Sequence, residues 1–458
     1  MISNEIISQF KAALGENSVV NDETDLSRHS HDASSHPSQM PGLVLYPVNT
    51  QQVAKCLKIA SDNRLPVTPC GKLTSLEGNS VPQAGGIVLD LSSMKKIIKV
   101  YPDDFQVIVE PGIVGEALNQ ELAKYHLYFP AFPASSHIAS IGGMIANNAG
   151  GMYAVKYGVV GDWVMALEVV LACGEIIKVG SRSIKSVAGF DLKSLLVGSE
   201  GTLGIITQAT LKLIPVITQK FLIKVCFPLV KQSVAATLSI LLSNLEPGAI
   251  EFLDASSIKH INHYKSLRWN EEATLLIELH GEEKEMKARA ERIRKLCQKE
   301  NYTSFLLAQT QEEMKKIWEG RKAVHPAVMA SAPNLALVPG DVGVPISRIP
   351  DFMEWVEKVQ KESGLTMATF GHVGDGNFHV WITYDRTIPD GLQKAKVAAG
   401  KIVEQALWLG GTCTAEHGVG IGKRDFLLQE HGDTIELMKK IKNVFDPLGI
   451  LNPGKIFA

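Results

Sequence analysis

Gly198-Ser199-Glu200-Gly201-Thr202-Leu203-Gly204 is the stretch whose reading decides the fold. Its glycines are spaced much like a dinucleotide fingerprint. A fingerprint loop of that kind follows a strand and opens a helix. Here the order is reversed: residues 191–197 read as a helix, and 202–214 read as a strand. The segment is therefore not in the context of a dinucleotide fingerprint, and its glycines read as a turn that opens a strand.

Two further glycine-dense segments lie upstream. One is Pro69-Cys70-Gly71-Lys72-Leu73-Thr74-Ser75-Leu76-Glu77-Gly78-Asn79. The other is Ser140-Ile141-Gly142-Gly143-Met144-Ile145-Ala146-Asn147-Asn148-Ala149-Gly150-Gly151. Without a Cβ in the way, backbone N–H groups can turn toward an anion such as a pyrophosphate. Gly418-Val419-Gly420-Ile421-Gly422-Lys423 looks similar but lacks the Walker spacing. Taken singly, each segment reads equally well as a tight turn between strands.

Around these loops, residues 43–214 alternate short strands (43–47, 86–91, 106–110, 164–172) with helices at 50–62 and 114–125. In the first helix Val53, Cys56, Leu57 and Ala60 recur at helical spacing. Residues 22–41, rich in Ser, His, Asp and Pro, read as a solvated loop. From about 220 the texture changes. Strands at 221–227, 273–281, 303–308 and 335–344 alternate with helices at 231–243, 282–301, 311–329 and 349–362. This predicts a second α+β unit, a sheet covered by helices on one side. The last 40 residues read as mostly helical.

Composition narrows the function. In 458 residues, 45% are hydrophobic and 21% charged, which supports a sizeable folded core. Forty-six basic and 48 acidic residues leave a formal charge of −2, so no broad basic footprint for nucleic acid exists. The six cysteines (Cys56, Cys70, Cys173, Cys226, Cys297 and Cys413) form no C-x-x-C pair. That argues against an iron–sulfur cluster or zinc knuckle within the chain and for reduced thiols. The first 17 residues read as an amphipathic helix, not a signal peptide. No run is long and apolar enough to span a membrane. The expectation is a cytoplasmic protein, with its electron acceptor as a route to peripheral association with a membrane.

The most specific chemistry lies in Gly371-His372-Val373-Gly374-Asp375-Gly376-Asn377-Phe378-His379. Gly374-Asp375-Gly376-Asn377 is strong turn chemistry between two apolar runs, so both histidines should meet at one end of a hairpin. A later segment reads Thr414-Ala415-Glu416-His417-Gly418. His372, His379 and Glu416 offer two imidazoles and one carboxylate, the donor set of a catalytic divalent metal site with open positions. On spacing alone a packing role for the two histidines remains the alternative.

Together these segments resemble the FAD-linked D-2-hydroxyacid dehydrogenases of the vanillyl-alcohol oxidase fold. Members include D-lactate dehydrogenases, glycolate oxidase flavin subunits and D-2-hydroxyglutarate dehydrogenases. The resemblance runs from about residue 40 to 456. It rests on the loops at 69–79 and 140–151, the run Asp191–Thr207, the pair 371–379 and 415–420, and the terminal Asn452-Pro453-Gly454-Lys455-Ile456. It implies an α+β architecture in four parts. These are an N-terminal helix and loop (1–39), an FAD-binding domain (40–217), a substrate or cap domain (218–414), and a C-terminal helical segment returning to the FAD domain (415–458). FAD would lie on Gly71, Thr74, Ser75 and Gly78, on Ser140, Gly142, Gly143, Asn147, Ala149 and Gly150, and along Glu200, Gly201, Gly204 and Ile206. His372, His379 and Glu416 would hold the metal, zinc first, with manganese and iron as alternatives. Arg321 would hold the substrate carboxylate, Asn377 would approach the substrate, and His417 would be the catalytic base. Lys72 and Leu73 depart from the small residues usual in the first loop. His325 and Pro339 stand where the hydroxyglutarate branch has a threonine and a lysine, which disfavours a diacid. Residues 341–348 look more like the D-lactate branch.

The implied reaction oxidises a small D-2-hydroxy acid, D-lactate first, to the 2-oxo acid by hydride transfer to flavin. Its electrons would pass to a quinone, a cytochrome or a partner flavin or iron–sulfur subunit, and a homodimer is one assembly the sequence admits. The alternatives are the flavin subunit of a glycolate oxidase complex and, from another class, a metal-dependent hydrolase. The hydrolase leaves the three glycine-rich segments without work.

Overall fold

The helical spacing of Val53, Cys56, Leu57 and Ala60 is realised as the helix Thr50–Asp62. Asn49 caps it by accepting from the Gln52 N–H at 3.0 Å, and all four apolar side chains are buried. The computed structural model describes residues 2–457. The chain divides into two units, one of Met1–Gly151, Val159–Val216 and Glu416–Ala458, the other of Met152–Gly158 and Ile217–Ala415.

The first unit holds two main sheets. One has the order Val19–Val20, Leu43–Leu45, Ile87–Asp90, Val67–Cys70, its last two junctions parallel. The other is antiparallel, with the order Ile97–Tyr101, Gln106–Val109, Ile205–Lys212, Val164–Val170, Ile176–Gly180. The N-terminal helix Asn4–Leu14 belongs to this unit, since Phe10 and Leu14 pack into the core under Thr50–Asp62. The expectation of a solvated loop at 22–41 is overturned in part. Residues Glu23–Arg28 form a helix, and the fully buried His29 places Nε2 3.0 Å from the buried Asp90 carboxylate. The chain end is helical over Leu427–His431 and Thr434–Phe445, then extended. There Val67 donates to Ile450, and Asn452 donates back to Val67.

The second unit is built on one sheet with the path Ser304–Ala308, Lys220–Phe227, Ala273–His280, Ala249–Leu253, Met367–His372, Asn377–Asp385, Leu335–Val338. Val342–Gly343 also pairs with Asn377–Asp385. Every pairing in it is antiparallel. The expected one-sided cover does not hold. All residues of Ala273–His280 are buried, in both parities, so both faces of that strand are covered. The helix expected over 311–329 is two helices, Gln311–Lys322 and Val324–Met329. Pro326 has no N–H to continue the first ladder, so the break falls just ahead of it.

Candidate active site

In the first unit the three glycine-rich segments converge. At Gly71 a Cβ would lie 2.3 Å from Ser140 Oγ, so only glycine lets these two loops touch. Residues 141–147 form a short helix in place of the expected loop. Ser140 caps it by accepting from the Gly143 N–H, and a Cβ at Gly142 would meet Pro111 at 2.5 Å. Close packing thus overrides the poor helix propensity of two adjacent glycines. Gly201 reaches the first loop from the other side, where a Cβ would stand 2.5 Å from Pro69. Ala149 and Ile206 are buried in the core, and Gly204 abuts Val169. Thr74 and Ser75 lie half-buried on the irregular first loop. Among the described residues, the amides of 72–76 donate to no backbone carbonyl.

Glu200 is the centre of this convergence. Its buried carboxylate accepts from the Val419 N–H at 2.6 Å, the Gly420 N–H at 2.9 Å and the Asn79 side chain at 2.7 Å. Burial pushes its pKa up, while these three donors pull it down. Asn147 donates to the His417 carbonyl at 3.1 Å, and Asn452 donates to the carbonyls of Asn79 and Glu200. Gly420 has a φ of +50°, and a Cβ there would sit 2.2 Å from the Glu77 carbonyl oxygen. The segment 416–420 is therefore fixed through its backbone. The two side chains lie 3.8 Å apart (His417 Nε2 to Glu416 Oε1). Glu416 also flanks Gly150, where a Cβ would lie 3.5 Å from its own Cβ.

In the second unit the expected hairpin is present. Met367–His372 and Asn377–Asp385 pair so that His372 faces Asn377 and Phe370 faces His379. The two histidines therefore share one sheet face as diagonal neighbours, with ring centroids 5.4 Å apart and both rings buried. Each turns Nδ1 toward a buried carboxylate. His372 Nδ1 makes a short contact with Glu251, and His379 Nδ1 lies 3.7 Å from Asp341. Asp341 is fully buried and also accepts from Asn377 Nδ2 at 2.7 Å, from the Thr414 hydroxyl at 2.8 Å and from the Ala415 N–H at 2.8 Å. It thus fixes the chain immediately before Glu416. Asn377 spends its amide on Asp341 and the Val342 carbonyl.

Arg321 ends the helix Gln311–Lys322, and its side chain is mostly buried. Its Nε donates to Glu251 Oε2 at 2.9 Å, Nη2 forms an ion pair with the same oxygen at 2.8 Å, and its guanidinium lies 4.6 Å from the Phe370 ring centroid. Glu251 is fully buried. Burial works to raise its pKa, but His372 and Arg321 outweigh it and hold the carboxyl below its usual range. The sequence reading missed Glu251 and the role of Asp341. The available signal for Glu251 was a lone acid inside the apolar run Ala-Ile-Glu-Phe-Leu, since carboxylates are almost never fully buried unless paired.

Comparison with known proteins converges on the same regions. Residues 41–180 match the FAD binding domain family, and residues 219–456 match the family of FAD linked oxidases, C-terminal domain. The chain is 36% identical to the "D-lactate dehydrogenase [cytochrome], mitochondrial" of Arabidopsis thaliana, over 99% of this chain and 80% of that protein. It is 35% identical to the glycolate oxidase subunit GlcD of Bacillus subtilis, over 100% and 98%. Against the D-lactate dehydrogenase of Anaerostipes hadrus the identity is 32%, over 99% and 98%. Among solved structures, p-cresol methylhydroxylase with substrate bound superposes with a TM-score of 0.82 at 19% identity, over 99% of this chain and 96% of that one. The likeness shows the vanillyl-alcohol oxidase-type fold and nothing finer. No helix among the described residues is long and apolar enough to cross a membrane.

Proposed function

The chain belongs to the FAD-linked D-2-hydroxyacid dehydrogenases, the family of the D-lactate dehydrogenases and glycolate oxidase flavin subunits, and we propose that it oxidises a small D-2-hydroxy acid, D-lactate first, to the 2-oxo acid. The observation that carries this reading is the second unit's buried pair of imidazoles, each with Nδ1 turned toward a buried carboxylate, beside an arginine fork anchored on the carboxylate of Glu251.

The residues fit both groups the reaction requires. Gly71, Gly142 and Gly201 lie where a Cβ would collide with neighbouring loops, so backbone can approach a pyrophosphate closely, with the amides of 72–76 as donors. Thr74, Ser75, Gly78, Ser140, Gly143, Asn147, Ala149, Gly150, Gly204 and Ile206 complete the proposed cradle, and Glu200 holds its segments together. FAD, when bound there, supplies the two-electron acceptor for the hydride that leaves C2. For the cation, a ligating histidine ordinarily donates its other ring N–H to a carboxylate, as His372 does to Glu251. We assign the cation to His372, His379 and Glu416. A divalent ion, zinc first, would supply the Lewis acidity that lowers the hydroxyl pKa.

The protein's own side chains then divide the work. Arg321 orients the substrate carboxylate with the edge of its fork that Glu251 leaves open. His417 takes the hydroxyl proton as C2 loses its hydride, because a neutral imidazole has a suitable resting pKa. Asn377, locked by Asp341, lines the same end of the hairpin. The proposed electron acceptor is a quinone, a cytochrome or a partner subunit, reached from the cytoplasm. The hydrolase alternative is not favoured, because it gives the FAD-binding region no task.

The reading is tested by anaerobic bleaching of the purified yellow protein with a panel of D- and L-2-hydroxy acids. Rapid reduction by D-lactate, slower reduction by glycolate and none by the L-acids is the expected order. Absence of reduction by every D-acid would refute it. A second expectation concerns the clamp. Arg321→Lys keeps a cation beside Glu251 but loses the planar fork. The apparent KM for D-lactate should rise about 10-fold or more, since hydrogen bonds to a charged group contribute roughly 1.5–3 kcal/mol. An unchanged KM in steady-state assays would count against the clamp.

A further inference from the structure

We propose that Glu251 is a positioning residue that sets the distance between the hydroxyl-binding and carboxylate-binding poles of the site, and so selects 2-hydroxy acids over 3-hydroxy acids. The inference rests on the function proposed above, in which His372 serves the cation and Arg321 the substrate carboxylate.

Glu251 sits in the strand Ala249–Leu253, whose register with the hairpin pairs Phe252 with Gly371 and Leu253 with Phe370. Continued by one residue, that register sets Glu251 opposite His372. Its two oxygens are divided between the two poles. Oε1 takes His372 Nδ1, while Oε2 takes both Nε and Nη2 of Arg321. One rigid, fully buried carboxylate is thus the common anchor of both groups. Neither can shift without losing a charge-assisted bond to a fully buried carboxylate. The contact with His372 also fixes the ring tautomer, leaving Nε2 as the ligand atom.

The consequence is chemical. In a 2-hydroxy acid the hydroxyl-bearing carbon is attached directly to the carboxylate, and in a 3-hydroxy acid one further carbon intervenes. A site whose two poles hang from one carboxylate tolerates the first spacing and not the second. An arginine and a histidine held by separate partners would not impose that limit.

The test uses the full-length flavoprotein with Glu251→Gln, which keeps shape and one acceptor but loses the charge. Three quantities are measured. They are zinc and manganese affinity after chelator stripping, KM for D-lactate, and the ratio of kcat/KM for D-lactate to that for D-3-hydroxybutyrate. Cation affinity should fall about 10–100-fold, the usual cost of losing a partner behind a metal ligand. KM should rise with it, the ratio should fall at least several-fold, and FAD stoichiometry should stay whole. If Glu251→Gln lowers only the melting temperature, with affinity, KM and ratio unchanged, the proposal is overturned and Glu251 is a structural carboxylate. Should that variant fail to fold, Glu251→Asp carries the same three readouts, with the same outcomes deciding. His372→Ala separates the two levels. If wild type and His372→Ala bind the cation equally, the functional reading fails whatever Glu251 does. If His372→Ala loses the cation while Glu251→Gln retains affinity, KM and ratio, only the positioning role fails.

Discussion

His417→Ala retains its full complement of FAD and loses turnover by a factor of about 10²–10⁴, the range a positioned general base ordinarily contributes. That corresponds to roughly 3–5 kcal/mol of transition-state stabilisation. Retained flavin follows from how this segment is held. Its shape depends on the His417 carbonyl accepting from Asn147, and on the Val419 and Gly420 amides reaching Glu200. None of these bonds involves the imidazole, so truncating the ring should leave the loop in place. The ring itself is only 13% exposed, shielded from bulk water that could otherwise take the proton. The measurement is the anaerobic rate of flavin bleaching by D-lactate, with bound FAD quantified in the same sample. Near-wild-type bleaching would remove His417 as the base. Bleaching lost together with the flavin would make its role structural.

The parts of this site that could be read from sequence are those written in local chemistry. Gly374-Asp375-Gly376-Asn377 specifies a turn, and a turn between two apolar runs dictates that His372 and His379 end on one face. Likewise, the helix–turn–strand order around Gly198–Gly204 is enough to set that segment apart from a dinucleotide fingerprint, and that order is realised as a helix at Leu192–Leu196 and a strand at Ile205–Lys212. The parts that escaped are long-range. Glu251 meets His372 and Arg321 only because three distant segments pack together, over separations of 121 and 70 residues. Nothing near position 251 announces that pairing except the oddity of an acid in an apolar strand. The helix at 141–147 escaped for a related reason. Its two glycines argue locally for a loop, and only the approach of Pro111 explains why they are needed within a helix. His29 reads as solvated because its neighbours are polar, yet its partner Asp90 lies 61 residues away on a buried strand.

The same long-range carboxylates govern the second large effect, expected of the two hairpin histidines. His372→Ala and His379→Ala should each lower the divalent metal content of the purified protein to a small fraction of wild type, and turnover should fall in parallel by about 100-fold or more. Loss of even an outer partner of a ligand costs roughly 10–100-fold, so loss of the ligand should cost at least as much. Elemental analysis and initial rates on one preparation of each variant decide the matter. Stoichiometric metal in both variants would defeat the ligand assignment. Metal lost with turnover intact would instead separate the cation from the chemistry, leaving Arg321 and His417 to carry the oxidation alone.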